Sequence, residues 1–201
     1  MADPDRSPVN LEDLISRELE RRNAFNPVWD VGEHESFVDL CSLMVETIRS
    51  GKKVVLCGNG GSAAQAQHFA AELVGRFKHD RAPVPAIALT VDTSALTALG
   101  NDYGFAEVFR RQAEALMQPG DLLVGLSTSG DSPNVVEALK WASAQGFSTA
   151  ALTGEGGGRM SDAADLCVAV PSAETDLIQE RHLVMLHILA AAIESTLLDL
   201  P

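Results

Sequence analysis

The sequence predicts a single α/β domain with a five-stranded parallel sheet, helices on both faces and extra helices at the N-terminus. From about residue 50 onward, short apolar runs alternate with helical patterns, and two helical patterns precede this alternation. Strands that alternate with helices pair in parallel, because each crossover helix returns the chain to the same end of the sheet. We expect a flavodoxin-like strand order, with ligands bound beyond the carboxyl ends of the strands.

Two amphipathic helices are predicted ahead of the sheet, over residues 11–24 and 33–49. Asn26-Pro27 separates them, because proline ends a helical pattern. We expect residues 1–10, which are polar and acidic, to be disordered. The helices within 11–50 either pack on the sheet or join the apolar last helix in a subunit interface. We favour the interface and expect a homo-oligomer, since closed symmetric assemblies are common among soluble enzymes.

The rest of the chain alternates regularly between strand and helix. Short runs rich in Val, Leu, Ile and Ala, bounded by Gly, Asp or Ser, are typical of buried parallel strands. Strands are predicted at 53–57, 86–90, 121–126, 148–153 and 166–170. Helices are predicted at 62–77, 94–99, 105–117, 133–145 and 176–198. The chain shows neither an internal repeat nor a linker, so residues 1–201 are expected to form one domain.

Composition argues against several classes of function. The net charge is −13 and no long basic run is present, which argues against nucleic-acid binding. No apolar run approaches the 18 or so residues that span a bilayer, and the polar first residues do not resemble a secretory signal. The three cysteines are far apart in sequence and odd in number, which favours reduced thiols in the cytoplasm.

The loop STSGDS at residues 127–132 is rich in hydroxyl groups. Ser127, Thr128, Ser129 and Ser132 supply four hydroxyls, and Pro133 suits the first position of the following helix. An ordinary capped turn needs one such hydroxyl, so four of them favour an anionic ligand held at the helix N-terminus.

The loop CGNGGS at residues 57–62 carries Asn59, Gly60, Gly61 and Ser62. Taken alone, it fits a tight structural turn as well as a ligand loop. It matches neither the dinucleotide fingerprint nor GxxxxGK[ST], which argues against dinucleotide and nucleoside triphosphate binding. Two such loops at strand-to-helix junctions together predict one shared anionic ligand.

Two helices carry further candidate site residues. His68 and Glu72 share one helical face, and so do Gln179 and His187. The pattern also fits a surface pair at i, i+4 and a satisfied core histidine. If the two helices meet, two His, a carboxylate and an amide form a ligand set for Zn²⁺, and Glu72 is a candidate general base. Eight residues span about 12 Å of helix, so Gln179 and His187 would share an ion only with converging side chains or across a subunit boundary.

Asn101 and Asp102 are expected near the same edge of the sheet. Chemistry alone leaves two interpretations open, a turn Asn-Asp-Tyr-Gly and a substrate contact. His182 lies off the face that Gln179 and His187 share, so it is not included in the candidate site.

These motifs resemble the phosphoheptose isomerase family (sedoheptulose 7-phosphate isomerase) of the sugar isomerase, or SIS, superfamily. The similar segments cover most of residues 50–190. They are CGNGGSAAQAQHFAAELVGRF (57–77), GNDYGF (100–105), GDLLVGLSTSGDSPNV (120–135), LTGEGGGRM (152–160) and IQERHLVMLHIL (178–189).

The resemblance implies a flavodoxin-like SIS fold, a homotetramer with active sites at subunit interfaces and one Zn²⁺ per subunit. It implies that the sugar phosphate is held by Ser127, Thr128, Ser129 and Ser132. It implies that the sugar is surrounded by Asn59, Gly60, Gly61, Ser62, Glu72, Asn101, Asp102 and Gln179. It implies that zinc is bound by His68, Glu72, Gln179 and His187.

The implied activity is conversion of D-sedoheptulose 7-phosphate to D-glycero-D-manno-heptose 7-phosphate through an enediol, with Glu72 as base and His187 as acid. Such an enzyme would be cytoplasmic and serve heptose biosynthesis, without nucleic-acid or membrane partners. A non-catalytic relative in the same superfamily binds the replication initiator DnaA, but it lacks the acid–base pair that Glu72 and His187 provide here. Isomerisation of another sugar phosphate also stays open, because hydroxyl-rich loops do not report the length of the sugar.

Overall fold

A computed structural model describes residues 11–25 and 31–198 and contains one all-parallel, five-stranded sheet. The strand order is β2-β1-β3-β4-β5. The strands are β1 (Val54–Gly58), β2 (Ala86–Ala88), β3 (Leu122–Ser127), β4 (Ser148–Thr153) and β5 (Leu166–Ala169). The α/β class, the parallel sheet and the additional N-terminal helices are therefore confirmed.

Eight α-helices occur in the part of the chain that the structure describes, together with a short 3-10 helix at Phe105–Glu107. The α-helices are α1 (Leu11–Phe25), α2 (Val31–Arg49), α3 (Gly60–Val74), α4 (Thr93–Tyr103), α5 (Val108–Leu116), α6 (Pro133–Ala144), α7 (Gly158–Ala163) and α8 (Thr175–Leu197). None of these helices has the length and apolar character that crossing a bilayer requires. The expected disorder of residues 1–10 lies outside the described residues.

The core has two layers because successive strand residues point to opposite faces of the sheet. Val54 and Leu56 of β1 pack with α2, α3 and α8, whereas Val55 and Cys57 pack with α5, α6 and α7. All five residues of β1 and all six of β3 are buried. Burying each Val or Leu side chain contributes about 1.5–3 kcal/mol, so this central pair of strands is a rigid base for the loops that follow it.

The strand order reverses at β1, which places two loops side by side. The chain leaves β1 for β2 on one side and later returns to β3 on the other. Gly58 of β1 lies opposite Leu126 of β3, so the loops that follow these strands begin at the same level. This is the topological switch point, where open α/β sheets bind their ligands.

Two local predictions were wrong. Asn101 and Asp102 lie in the last turn of α4 and not in a turn after it, because α4 continues to Tyr103 and ends only at Gly104, which has φ +88°. Helix α7 was not predicted at all, because it starts inside the glycine-rich stretch 154–158 and is only six residues long.

Candidate active site

The first candidate loop turns from β1 into α3 at Asn59. Asn59 occupies the N-cap position of α3 with extended backbone angles (φ −118°, ψ 151°), yet its side chain makes no capping hydrogen bond. Gly60 follows in the left-handed region (φ +53°), which favours glycine. The first turn of α3 therefore lacks the side-chain cap that asparagine at this position usually supplies.

The second candidate loop carries the predicted cluster of hydroxyls after β3. Ser127 is buried, and its Oγ lies 2.8 Å from Ser132 Oγ and 3.3 Å from Ser129 Oγ. Ser132 is the N-cap of α6 and Pro133 is its first residue, but the Ser132 side chain does not cap the helix either. The start of α6, with its partial positive charge, thus lies beside three clustered hydroxyls, an arrangement suited to a phosphate.

The glycine-rich loop between β4 and α7 packs against the second candidate loop, residues 127–132, which we call the serine loop. Gly130 has φ +66°, and a Cβ added to it would lie 2.1 Å from the carbonyl oxygen of Gly157. Gly154 N donates to Thr128 O at 3.1 Å, and Met160 N donates to Gly130 O at 2.9 Å. The two loops therefore pack backbone against backbone, which leaves no room for side chains at the contact.

Asp131 of the serine loop and Arg159 of α7 form a further, more exposed contact between the same two segments. The Asp131 carboxylate accepts from Arg159 N at 3.0 Å and from Arg159 Nε at 3.1 Å. These backbone and guanidinium donors hold the pKa of Asp131 below its usual value. Both side chains are about half exposed, so the pair is expected to contribute little to stability.

Three of the predicted acid–base and metal residues come together between α3 and α8. His68 Nε2 lies 3.0 Å from His187 Nε2, and Glu72 Oε1 lies 3.5 Å from the same nitrogen of His68. The two imidazole rings meet edge to face, with centroids 5.2 Å apart. Glu72 and His187 thus reach a common atom although they are far apart in sequence.

The donor types in this cluster, two imidazoles and a carboxylate, are those that bind zinc in proteins. Two ligand atoms on one tetrahedral zinc lie about 3.3 Å apart, given Zn–N distances near 2.0–2.1 Å. The 3.0 Å and 3.5 Å separations from His68 Nε2 lie on either side of that spacing. Within residues 11–25 and 31–198, however, no group of three His, Cys, Asp or Glu side chains is placed so that it could hold a metal ion.

A buried ion pair fixes the two helices that carry the cluster. The Glu194 carboxylate of α8 accepts from Phe77 N at 2.7 Å and Lys78 N at 2.8 Å, and Arg81 Nε lies 3.3 Å from it. Burial alone would raise the pKa of Glu194, but the backbone donors and Arg81 outweigh burial and lower it. The Phe77 ring, placed by this contact, stacks on His187 with centroids 5.6 Å apart.

The other predicted residues lie at different places on the same rim. The Gln179 side chain covers Gly61, where an added Cβ would lie 2.6 Å from Gln179 Nε2, about two helical turns of α3 before His68. Asn101 and Asp102 are exposed, and Asn101 Nδ2 donates to Asp102 Oδ1 at 2.8 Å. Among the described residues, no side-chain hydrogen bond connects either of these two with the loops or with the histidine cluster.

The sequence analysis missed two buried residues beside the site. Asn134 forms two hydrogen bonds with Asn59, in opposite directions, and joins the two candidate loops. His182 donates from Nε2 to Thr153 O at 3.0 Å, and burial lowers its pKa to about 4. Helical periodicity placed His182 off the face that Gln179 and His187 share, so it was left out. Asn134 was not identified because a polar residue in the first turn of a helix is common and does not by itself indicate a site.

Comparison with known proteins first defines the class. The chain matches the SIS domain family over residues 29–154, in agreement with its parallel sheet and with the two candidate loops at the switch point, so it is a SIS-domain protein. A phosphoheptose isomerase from Campylobacter concisus is 57% identical over 188 residues, which cover 92% of this chain and 97% of that protein. The Aquifex aeolicus phosphoheptose isomerase is 53% identical and covers 80% of this chain and 84% of its own length. The chain belongs to the phosphoheptose isomerase family.

Solved structures of the same family agree with the fold. The phosphoheptose isomerase of Neisseria gonorrhoeae superposes with a TM-score of 0.84 at 41% identity, covering 92% of this chain and 100% of that one. A phosphoheptose isomerase from Francisella tularensis gives a TM-score of 0.86 at 34% identity, covering 93% and 100% of the two chains.

Proposed function

We propose that the protein is an aldose–ketose isomerase that converts D-sedoheptulose 7-phosphate to D-glycero-D-manno-heptose 7-phosphate. The observation that carries this proposal is the meeting of Glu72 and His187 at His68 Nε2, on the helix that begins in the first ligand loop. Membership of the phosphoheptose isomerase family supports the substrate and the reaction. The DnaA-binding alternative explains neither the acid–base pair nor this membership.

The phosphate is assigned to the serine loop. The hydroxyls of Ser127, Ser129 and Ser132 cluster there, and the Ser132 hydroxyl is not used to cap α6. Thr128 adds a further hydroxyl in the same loop. A phosphate bound at this point is stabilised by hydrogen bonds and by the helix dipole, although the protein as a whole carries a net charge of −13.

The carbon skeleton is assigned to the space between the first loop and the histidine cluster. Asn59, Gly60, Gly61 and Ser62 would line it from α3, and Gln179 would line it from α8. Asn101 and Asp102 complete the proposed set from α4. These roles come from the family resemblance, and the location of most of these residues at one edge of the sheet supports them.

The proposed reaction moves one proton between adjacent carbons. Glu72 removes a proton from C1 of the open-chain ketose while His187 protonates the C2 carbonyl oxygen, which forms the enediol. Glu72 then returns its proton to C2, the C1 hydroxyl loses its own proton to His187, and the C1 aldehyde forms. General acid–base catalysis of this kind contributes about 10²–10⁴-fold to the rate.

We also propose one Zn²⁺ per subunit, bound by His68, Glu72 and His187, with Gln179 as the fourth ligand through a converging side chain or across a subunit boundary. When bound, zinc acts as a Lewis acid that polarises a carbonyl oxygen. Glu72 and His187 would then be needed both as ligands and as proton-transfer groups, so the two proposed roles compete for the same side chains.

The assembly and compartment are proposed on separate grounds. The homotetramer comes from the family resemblance and is supported by exposed apolar residues on α2 and α8, such as Val38 and Val184. A cytoplasmic location is supported by the free thiols of Cys41, Cys57 and Cys167, because secreted proteins usually pair their cysteines.

The direct test is incubation of the protein with sedoheptulose 7-phosphate, with the aldose product followed by NMR. The Glu72→Gln variant keeps the size of the side chain but cannot accept the proton, so we expect kcat to fall by about 10³-fold. Size-exclusion chromatography should show an unchanged assembly.

The matched control is Glu114→Gln, because Glu114 is an exposed carboxylate on α5, at the opposite face of the sheet. This variant should retain wild-type kcat. Turnover near the wild-type rate in Glu72→Gln would exclude Glu72 as the base.

A further inference from the structure

The two ligand loops are cross-linked by a pair of asparagine side chains 75 positions apart. Asn59 Nδ2 donates to Asn134 Oδ1 at 2.9 Å, and Asn134 Nδ2 donates to Asn59 Oδ1 at 2.9 Å. Asn134 is 1% exposed, and its Oδ1 also accepts from Val135 N at 3.0 Å. A reciprocal amide pair of this kind fixes both the separation and the mutual orientation of the groups that it joins.

This pairing explains why Asn59 does not cap its own helix. Asparagine is among the best N-cap residues, and the backbone of Asn59 has the extended angles of an N-cap. Its carboxamide is instead paired with that of Asn134, with Oδ1 accepting and Nδ2 donating. The first turn of α3 therefore keeps its backbone donors free of a side-chain cap, on the side where Gly61 and Gln179 meet.

Asn134 also sits in the first turn of the other ligand helix. It directly follows Pro133, the first residue of α6, and Ser132, the N-cap whose hydroxyl is directed to Ser127. One buried side chain thus connects the start of the proposed sugar-binding helix with the start of the proposed phosphate-binding helix.

We propose that Asn134 is a positioning residue for substrate binding, an inference that rests on the proposed isomerase function. By holding the Asn59 carboxamide, Asn134 keeps the N-terminus of α3 open to the sugar hydroxyls. It also sets the distance between the sugar loop and the phosphate loop. Asn134 itself is buried and acts through Asn59.

The proposal is tested with Asn134→Ala, assayed for conversion of sedoheptulose 7-phosphate. Loss of the amide pair frees Asn59 to rotate and cap α3, which competes with the sugar. We expect KM to rise about tenfold, the equivalent of one or two hydrogen bonds, while kcat changes by less than about threefold. Asn134→Ser, polar but too short to reach Asn59, provides the same test if the alanine variant folds poorly.

A double-mutant cycle separates positioning from a general loss of stability. If Asn134 acts through Asn59, then Asn134→Ala should have little effect on KM in an Asn59→Ala background, because the two changes share one interaction. Additive effects on KM would overturn the proposal, and so would an unchanged KM in Asn134→Ala and Asn134→Ser.

The matched control is Thr149→Val, which removes the two hydrogen bonds that the hydroxyl of the buried Thr149 forms with Asp165 near the opposite, amino end of β4. It should lower the melting temperature without changing KM.

Calorimetric Kd values for sedoheptulose 7-phosphate are measured in parallel on every variant. Binding without turnover in the wild type contradicts the proposed function and still tests Asn134 through Kd. Turnover in the wild type with an equal KM in the Asn134 variants contradicts only the present inference.

Discussion

At the scale of single residues, two side chains of the candidate site stand at helix N-cap positions but do not form the capping hydrogen bond that is usual there. Asn59 and Ser132 both occupy N-cap positions, and neither caps its helix. Each is instead bound to a side chain across the site, Asn134 for one and Ser127 for the other. A side-chain cap usually stabilises a protein by about 1 kcal/mol, and both helices do without this contribution at the ends that face the proposed ligand.

His182 provides a pH-dependent test at this scale. Burial lowers its pKa to about 4 in the folded protein, against about 6.5 in an unfolded chain, while the hydrogen bond to Thr153 O acts in the opposite direction. Between these two values the unfolded chain binds a proton that the folded chain does not. The free energy of unfolding should therefore fall by about 2 kcal/mol as the pH falls from about 7 to about 5.

Urea unfolding of His182→Gln measures this contribution, since glutamine can still donate to Thr153 O but does not titrate. The variant should lose less stability than the wild type over the same pH interval. His34→Gln, a change at an exposed histidine on α2, should leave the pH dependence unaltered. If His182→Gln and the wild type lose equal stability, then His182 is not the titrating group.

The sequence could identify candidate residues whose pattern lies within one short segment of the chain. Four hydroxyls in six positions and a His–Glu pair at i, i+4 are visible in any short window, and both occur at the site. Asn134 could not be identified in this way, because its role depends on β1 lying next to β3. That adjacency is a property of the sheet order and not of the segment around residue 134.

At the scale of elements, hydrogen bonds hold α3 and α8 together at both ends of their contact. Gln65 Nε2 donates to Gln179 O at 2.6 Å near the start, and Glu194 binds the segment after α3 near the end. Arg81 donates to Glu72 O at 2.7 Å and so also binds the last turn of α3. His68 and His187 lie between these two sets of contacts, so the backbones that carry the two rings are held together on both sides.

A further prediction concerns zinc binding between the facing sides of α3 and α8. The purified protein should contain about one zinc per subunit by mass spectrometry, because two imidazoles and a carboxylate surround one point between these helices. His68→Ala should lower the zinc content by about tenfold or more, since structural neighbours of a site cannot replace a missing ligand. Full zinc content in His68→Ala would exclude this site.

His79→Ala is the matched control for that measurement. His79 is exposed in the segment that follows α3, and only its backbone N–H is bound to Glu194. The variant should retain its zinc. Metal content is a suitable readout because it is independent of turnover, so the metal prediction can fail while the isomerase proposal stands.

Element boundaries also show what sequence patterns can predict. The strands were placed well, because a parallel sheet covered on both faces requires continuous apolar runs. Helix α7 was not predicted, because its start depends on a contact with a distant residue. In α7, Met160 N is bound by Gly130 O of the serine loop, a partner that periodicity cannot reveal.

At the scale of the whole molecule, one face of the domain leaves apolar surface uncovered. The groove between α2 and α8 has a volume of about 390 Å³ and is lined by His34, Phe37, Val38, Cys41 and Ile188. Val184, one turn before Ile188, is 43% exposed. Grouped apolar side chains on a surface are typical of an interaction site, which agrees with the proposed homotetramer.

Charge substitution on this face tests the assembly. Val184→Glu places a carboxylate where the proposed interface excludes water, so sedimentation velocity should show a smaller species than the wild type at equal concentration. Turnover should fall with assembly, because the resemblance implies active sites at subunit interfaces. Leu116→Glu, a change at an exposed leucine of α5 on the opposite face, should leave both properties unchanged. If Val184→Glu keeps the wild-type sedimentation coefficient, then this face of α8 lies outside the contact between subunits, and the exposed apolar residues require another explanation.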